Sequence, residues 1–192
     1  MIICFDTEFT GLHKDTSLIS IGLVDEDGRT FYAEFSDYKK DQVTDWIKEN
    51  VIDNLTHPKL CVSGEDWTIV GIKPLVRRAL VQWLEKYKDE KIVLVSDVCH
   101  YDMVLFIDLF GSSFDIPNNI CPSCYDINQD IAKYCNISLM KAFDTNREEL
   151  LESLGGKLPS DVKKHNSLFD AKIIQQLYKT IRKWVLWGKF MN

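Results

Sequence analysis

The turn Asp25-Glu26-Asp27-Gly28 limits the fold more than any other feature, because of what flanks it. Leu18 to Val24 (Leu-Ile-Ser-Ile-Gly-Leu-Val) is an apolar run of strand length, and Arg29 to Phe35 is another. An acidic turn carrying Asp-Gly folds two such runs back on each other as an antiparallel pair. Residues 1–6 read as a further, buried strand, so the chain opens with a three-stranded meander. The periodicity then changes. Gln42 to Val51 looks like a short helix. Ile72, Leu75, Val76, Ala79, Leu80, Trp83, Leu84 and Tyr87 recur at helical spacing, with Pro74 suited to a first turn. Ile92 to Val95 is short and wholly apolar, as strands covered on both faces are. Further helices are expected from near Tyr101, over 126–136 and 146–154, and from Asn166 or Ser167 into the 180s. Residues 112–125 read as irregular, and Gly155-Gly156 interrupts the chain. A meander followed by alternating helices and strands makes an α/β fold, a mixed sheet with helices packed on it. One domain over residues 1–192 is expected.

In sheets of this kind, sites gather at the carboxyl ends of parallel strands and the starts of the following helices. Acids stand at those places. Asp6-Thr7-Glu8 closes the first strand, and in a strand residues i and i+2 share a face. The two carboxylates converge while Thr7 points the other way. Two acids ending an apolar strand are costly to bury unless a cation compensates them, although solvation at an exposed strand end is the blander alternative. Asp97 and Asp102 follow Ile92 to Val95, where a helix cap is as good a reading as a metal ligand. His165-Asn166-Ser167-Leu168-Phe169-Asp170 opens the last helix, with Asp170 in its first turn and Asn166 or Ser167 available to cap. Lys157, Lys163 and Lys164 add local positive charge. Hard oxygen ligands of this kind suit Mg²⁺ or Mn²⁺ better than zinc.

Composition bears on partners. The net charge is −6, unusual for a protein that grips phosphates through Lys and Arg. That objection weakens if several acids hold cations, which reverse the local field. No apolar run approaches the roughly 20 residues needed to cross a bilayer. The start, Met1 to Asp6, lacks the basic region of a signal peptide, so a cytoplasmic protein without membrane contact is expected. Six scattered cysteines agree with a reducing compartment. Cys121-Pro122-Ser123-Cys124 is a lone CxxC with no second pair, and a small, reduced core role is its default reading.

Phe5-Asp6-Thr7-Glu8-Phe9-Thr10-Gly11-Leu12 resembles the first motif of the DEDDh 3′–5′ exonucleases. His165-Asn166-Ser167-Leu168-Phe169-Asp170-Ala171 resembles the third, and Val93 to Asp102 looks like the second. The three stand in the family's order from residue 5 to 171. The second departs from the usual His-Asn-x-x-(Phe/Tyr)-Asp, reading Asp97-Val98-Cys99-His100-Tyr101-Asp102, a variant similar to a bacterial and phage exoribonuclease-like branch. The resemblance implies an RNase H-like, five-stranded mixed sheet and two Mg²⁺ or Mn²⁺ ions. Asp6, Glu8 and Asp170 would surround one ion, and Asp6 with Asp102 the other. His165 would be the general base, and Phe9, Thr10, Gly11 and Leu12 would lie against the terminal nucleotide.

The expected reaction is hydrolysis from the 3′ end of single-stranded or overhanging RNA, releasing nucleoside 5′-monophosphates. Three rivals stand beside it: a DNA exonuclease with the same site, an inactive nucleic-acid-binding module, and a zinc or redox protein using Cys121 and Cys124. Of the second-motif acids, Asp102 is the expected ligand, because helix packing would aim it, whereas Asp97 reads as a turn residue bonded to nearby backbone N–H groups. Dimers occur among similar enzymes, and a homodimer would add grip to a domain with little basic surface.

Overall fold

The computed structural model describes residues 1–57, 61–159 and 165–190, with side chains to residue 183. Its strands are β1 (Ile2–Phe9), β2 (Leu18–Asp25), β3 (Thr30–Phe35), β4 (Cys61–Ser63), β5 (Asp66–Gly71), β6 (Val93–Ser96) and β7 (Tyr125–Asp126). They form one mixed sheet in the order β4-β5-β3-β2-β1-β6-β7. The meander is present: β2 runs antiparallel to both β1 and β3. β6 lies parallel to β1, and β7 parallel to β6. Among the described residues the sheet has seven strands rather than five. The additions are the β4–β5 pair, which joins β3 through a parallel β5, and the two-residue β7.

The helices are α1 (Asp45–Asn50), α2 (Lys73–Leu84), α3 (Cys99–Phe110), α4 (Ile127–Tyr134), α5 (Leu139–Phe143), α6 (Arg147–Ser153) and α7 (Ser167–Phe190). Alternation along the strands divides the core. Ile3 and Phe5 of β1 face α2 and α3 in one cluster, whereas Cys4 faces α4 to α7 in another. Each large apolar side chain taken fully out of water there contributes about 1.5–3 kcal/mol before entropy is counted. The stripe expected over 72–87 buries Val76, Ala79, Leu80, Trp83, Leu84 and Tyr87, while Ile72 and Leu75 remain exposed.

Two details place the site. β1 does not stop at Asp6. Asp6, Thr7 and Glu8 stay paired with Gly22, Ile21 and Ser20, and the register slips only between Glu8 and Phe9. Opposite Asp6, Gly22 lets the start of α7 lie directly on the sheet. A Cβ there would stand 2.4 Å from the Leu168 backbone, closer than atoms can approach. Ser20 and Ser167 bridge the same seam through their hydroxyls at 2.9 Å.

Candidate active site

The carboxyl ends of β1 and β6 and the starts of α3 and α7 meet at a cleft of about 530 Å³, within the usual range for a small-molecule pocket. Asp6, Glu8, Asp97, His165 and Asp170 line it. Ligand-capable atoms of Glu8, His165 and Asp170 lie within 4.8 Å of one another, and so do those of Asp6, Asp97 and Asp102.

Burial defines the electrostatics. The Asp6 carboxyl is pushed well above the usual range, first by desolvation and then by the negative charges of Asp102, Asp170, Glu8 and Asp97. Glu8 is raised too, again by burial first and then by Asp170, Asp102 and Asp97. Carboxylates so placed repel one another unless protons or cations share the site. Oxygen donors dominate both groups, which fits a hard divalent cation and not a thiolate-bound zinc.

Asp102 is 1% exposed and held at both oxygens. Thr7 Oγ1 donates to Oδ1 at 2.5 Å, and Ser96 Oγ donates to Oδ2. Burial raises its carboxyl to about 7 against the lowering effect of those two hydroxyls. Thr7 therefore points away from the Asp6–Glu8 face and still serves the site. It reaches across to fix the acid on α3.

Asp97 differs from its expectation. Its carboxylate accepts from Arg147 Nε at 2.8 Å rather than from nearby backbone. Arg147 is itself fixed. It donates to the Ala142 and Thr145 carbonyls at 2.8 Å each and to Asn128 Oδ1 at 2.6 Å. Asn128 in turn donates to the Asp97 carbonyl at 2.6 Å. One guanidinium thus ties α4, α5 and α6 to the end of β6. Sequence reading missed it, since its acid stands 50 positions away.

His165 stands just before α7 with φ of +58°, a left-handed conformation that costs a non-glycine residue on the order of 1 kcal/mol. Its neighbour Asn166 pins the turn. Asn166 Oδ1 caps α7 by accepting from the Leu168 and Phe169 backbone at 3.2 and 3.4 Å. Asn166 Nδ2 donates to the Tyr32 hydroxyl at 3.0 Å, which donates onward to Glu34 at 2.8 Å. Trp46 meets the His165 ring edge-on at 5.4 Å between centroids.

Of the four residues expected against substrate, Phe9 and Leu12 line the cleft. Leu12 is exposed, and Phe9 stacks on Tyr101 at 5.2 Å. Thr10 turns inward, accepting from Ser17 N at 2.9 Å and donating to Gln42 at 2.6 Å. Gly11 is half-buried beside it. Phe143 and Arg147 form part of the facing wall. Lys157 lies in a separate depression with Lys172 and Gly28, and Lys163 and Lys164 fall outside the described residues.

Known structures place this fold among the RNase H-like DEDDh nuclease domains. The nuclease domain of 3′hExo, described as a DEDDh family member bound to rAMP, matches with a TM-score of 0.60 at 16% identity, over 94% of this chain and 90% of that one. A 3′-exonuclease solved in recognition of a histone mRNA stem-loop matches at 0.62 and 16% identity, over 94% and 62%. Two curated sequences from Mycobacterium tuberculosis strains, 3′-5′ exoribonuclease Rv2179c and 3′-5′ exoribonuclease MT2234.1, are each 28% identical over 116 residues. Each alignment covers 60% of this chain and 65% of the relative, under two thirds of the relative's length. The family model of the 3′-5′ exoribonuclease Rv2179c-like domain matches residues 1–182, and the chain belongs to that family. Membership implies use of a divalent metal, for which the carboxylate groups described above are the candidate ligands. Among the described residues, no helix is long and apolar enough to cross a membrane.

Proposed function

We propose that this chain is one exonuclease domain that hydrolyses RNA from its 3′ end, one nucleotide at a time, releasing nucleoside 5′-monophosphates. The observation that carries this reading is the gathering of Asp6, Glu8, Asp170 and His165 at one cleft, with Asp102 buried within 4.8 Å of Asp6 and Asp6 surrounded by like charges. RNA is favoured over DNA by the family and by the named activity of the mycobacterial relatives.

Two Mg²⁺ or Mn²⁺ ions fit the donor set. When bound, such a pair activates the attacking water and stabilises the leaving oxygen. Asp6, Glu8 and Asp170 would hold one ion, and Asp6 with Asp102 the other. Asp102 is preferred to Asp97 as a ligand because its carboxylate is aimed by Thr7 and Ser96, whereas Asp97 is already neutralised by Arg147. His165 would take the proton from the water, since an imidazole titrates near neutral pH. Phe9 and Leu12 would carry the terminal base, and the remaining protein surface would exclude water around it.

The test is incubation with end-labelled single-stranded RNA, single-stranded DNA and overhang duplexes in Mg²⁺ or Mn²⁺. A ladder shortening from the 3′ end, with RNA degraded fastest and all activity lost in excess EDTA, is expected. Full activity in EDTA, or a ladder of opposite polarity, would overturn the reading.

A further inference from the structure

The CxxC motif contains a cysteine whose partner is not the other cysteine of the motif. Cys124 Sγ lies 2.8 Å from Cys99 Sγ, inside van der Waals contact for two sulfurs, and both thiols are free and half-buried. The two come from different elements. Cys99 is the first residue of α3, and its Sγ also points at the Ser96 carbonyl at 3.5 Å. Cys124 immediately precedes β7, where Tyr125 pairs with Val95. Backbone pairing therefore holds both ends. The β6–β7 ladder carries Cys124 alongside the end of β6, and the turn from β6 into α3 brings Cys99 to it. Cys121, by contrast, is anchored farther back along the same segment, where its N–H bonds the Ile92 carbonyl at 2.8 Å.

We infer that Cys99 and Cys124 are a disulfide-forming pair, a site of reversible oxidation that fastens the start of α3 to the segment before β7. The step balances with a peroxide as oxidant. One thiolate attacks hydrogen peroxide, giving a sulfenic acid and releasing hydroxide, which takes up the proton that the thiol had lost as water. The second thiol then displaces water from the sulfenic sulfur, forming the S–S bond. Two thiols and one peroxide give one disulfide and two waters. Thiolate exchange with the sulfenic or mixed-disulfide form is fast when the second sulfur is already in contact, because no chain segment has to be brought in. Closing from 2.8 Å to the disulfide bond length of about 2.05 Å asks for a movement of under roughly 1 Å.

The position gives the bond a consequence. Cys99 lies three residues before Asp102 on α3, and the Ser96 whose carbonyl it faces also holds the Asp102 carboxylate. The bond would lock the corner that aims this acid without touching the acid. Neither sulfur lines the cleft.

The test reads the covalent bond and is independent of nuclease activity. The purified, reduced protein is treated with hydrogen peroxide, and separately with oxidised glutathione, then digested without reduction and analysed by mass spectrometry. The expected product is a linked pair of peptides containing Cys99 and Cys124, two hydrogens lighter than the sum of the thiols. Exposed Cys61 serves as the internal control, taking up glutathione in the same sample. Cys121→Ser should leave the link in place, and Cys124→Ser should abolish it and leave Cys99 open to glutathione. The oxidised wild type should melt several degrees above the reduced form, as closing a loop of this length predicts. A dominant Cys121–Cys124 link, or glutathione on both Cys99 and Cys124 of the wild type with no link between them, would overturn the inference.

Discussion

Asp25 and Asp6 lie on neighbouring, directly paired strands, Asp25 at the end of β2 and Asp6 toward the carboxyl end of β1, and both are buried. The protein treats them in opposite ways. Asp25 is wrapped in donors: the backbone N–H groups of Asp27 and Arg29 at 2.9 and 2.8 Å, the Arg29 guanidinium at 3.3 Å and the Tyr87 hydroxyl. Burial raises its carboxyl, yet the hydrogen bonds from Tyr87 and Arg29 outweigh that and leave it below the usual range. Around Asp6 stand four further carboxylates, and its carboxyl is raised. One end of the sheet completes its own charge balance. The other is built to be completed by something from outside, and that is the physical signature separating a structural acid from a functional one.

The largest effect should come from exchanging charge at the two ends. Asp6→Asn should abolish hydrolysis while leaving the metal-free protein at least as stable, since a source of repulsion has gone. Asp25→Asn should cost about 3 kcal/mol in urea unfolding, because it strands buried donors, with turnover per folded molecule unchanged. If the two variants exchanged phenotypes, the contrast between the ends would be wrong. Next in size, His165→Ala should slow single-turnover cleavage by about 10²- to 10⁴-fold, the range of a general base, with melting unchanged. A rate within about two-fold of wild type would remove His165 from the chemistry.

Gly22→Ala tests the seam beside Asp6. The added methyl must displace the start of α7, and with it Asp170. About 1–3 kcal/mol of stability should be lost, together with roughly 10²-fold in rate from a misplacement on the order of 1 Å. Unfolding curves and single-turnover rates read both effects. Smallest is the pH response of the metal-free protein. Acids with raised folded-state pKa values stabilise the fold fully below their unfolded values, and that stability is lost as pH rises through the folded ones. With Asp102 raised from 3.8 to about 7, the Tm in EDTA should fall between about pH 4 and 7. Added Mg²⁺ or Mn²⁺ should then raise Tm by more degrees at pH 8 than at pH 5. A metal-induced shift independent of pH would contradict coupling between these acids and the cation.

What the sequence made legible follows from where its signals are local. The meander is readable because Asp-Gly and two apolar runs are adjacent in the chain. The core stripe of α2 and the start of α7 are readable from spacing and capping, whereas the choice of Asn166 over Ser167 as cap is made only in the folded chain. The β4–β5 pair is not, because Cys61–Ser63 is short and exposed and carries no alternating pattern. β7 consists of two residues and exists only by pairing with β6. Within the candidate site, Asp6, Glu8 and Asp170 lie in contiguous motifs. Arg147 belongs to no such motif, and its role arises from a contact with Asp97 that only the folded chain creates. Thr7 faces away from the Asp6–Glu8 side, as strand alternation requires. The period-2 rule gives the direction of a side chain but cannot say that a neighbouring helix waits there with Asp102.

The contact at Gly22 has a mechanical consequence. Most helices ride on a sheet through side chains, which can change rotamer and act as compliant shims. Here backbone rests on backbone, and the gap is set by an atom that is missing. Such a joint has no adjustable part. Substitutions elsewhere in the core can be absorbed by side-chain rearrangement before they reach it, so the spacing between Asp6 and Asp170 should tolerate drift in the rest of the core. The Ser20–Ser167 hydroxyl pair bridges the same joint, so any slip of the start of α7 over the sheet has to break it.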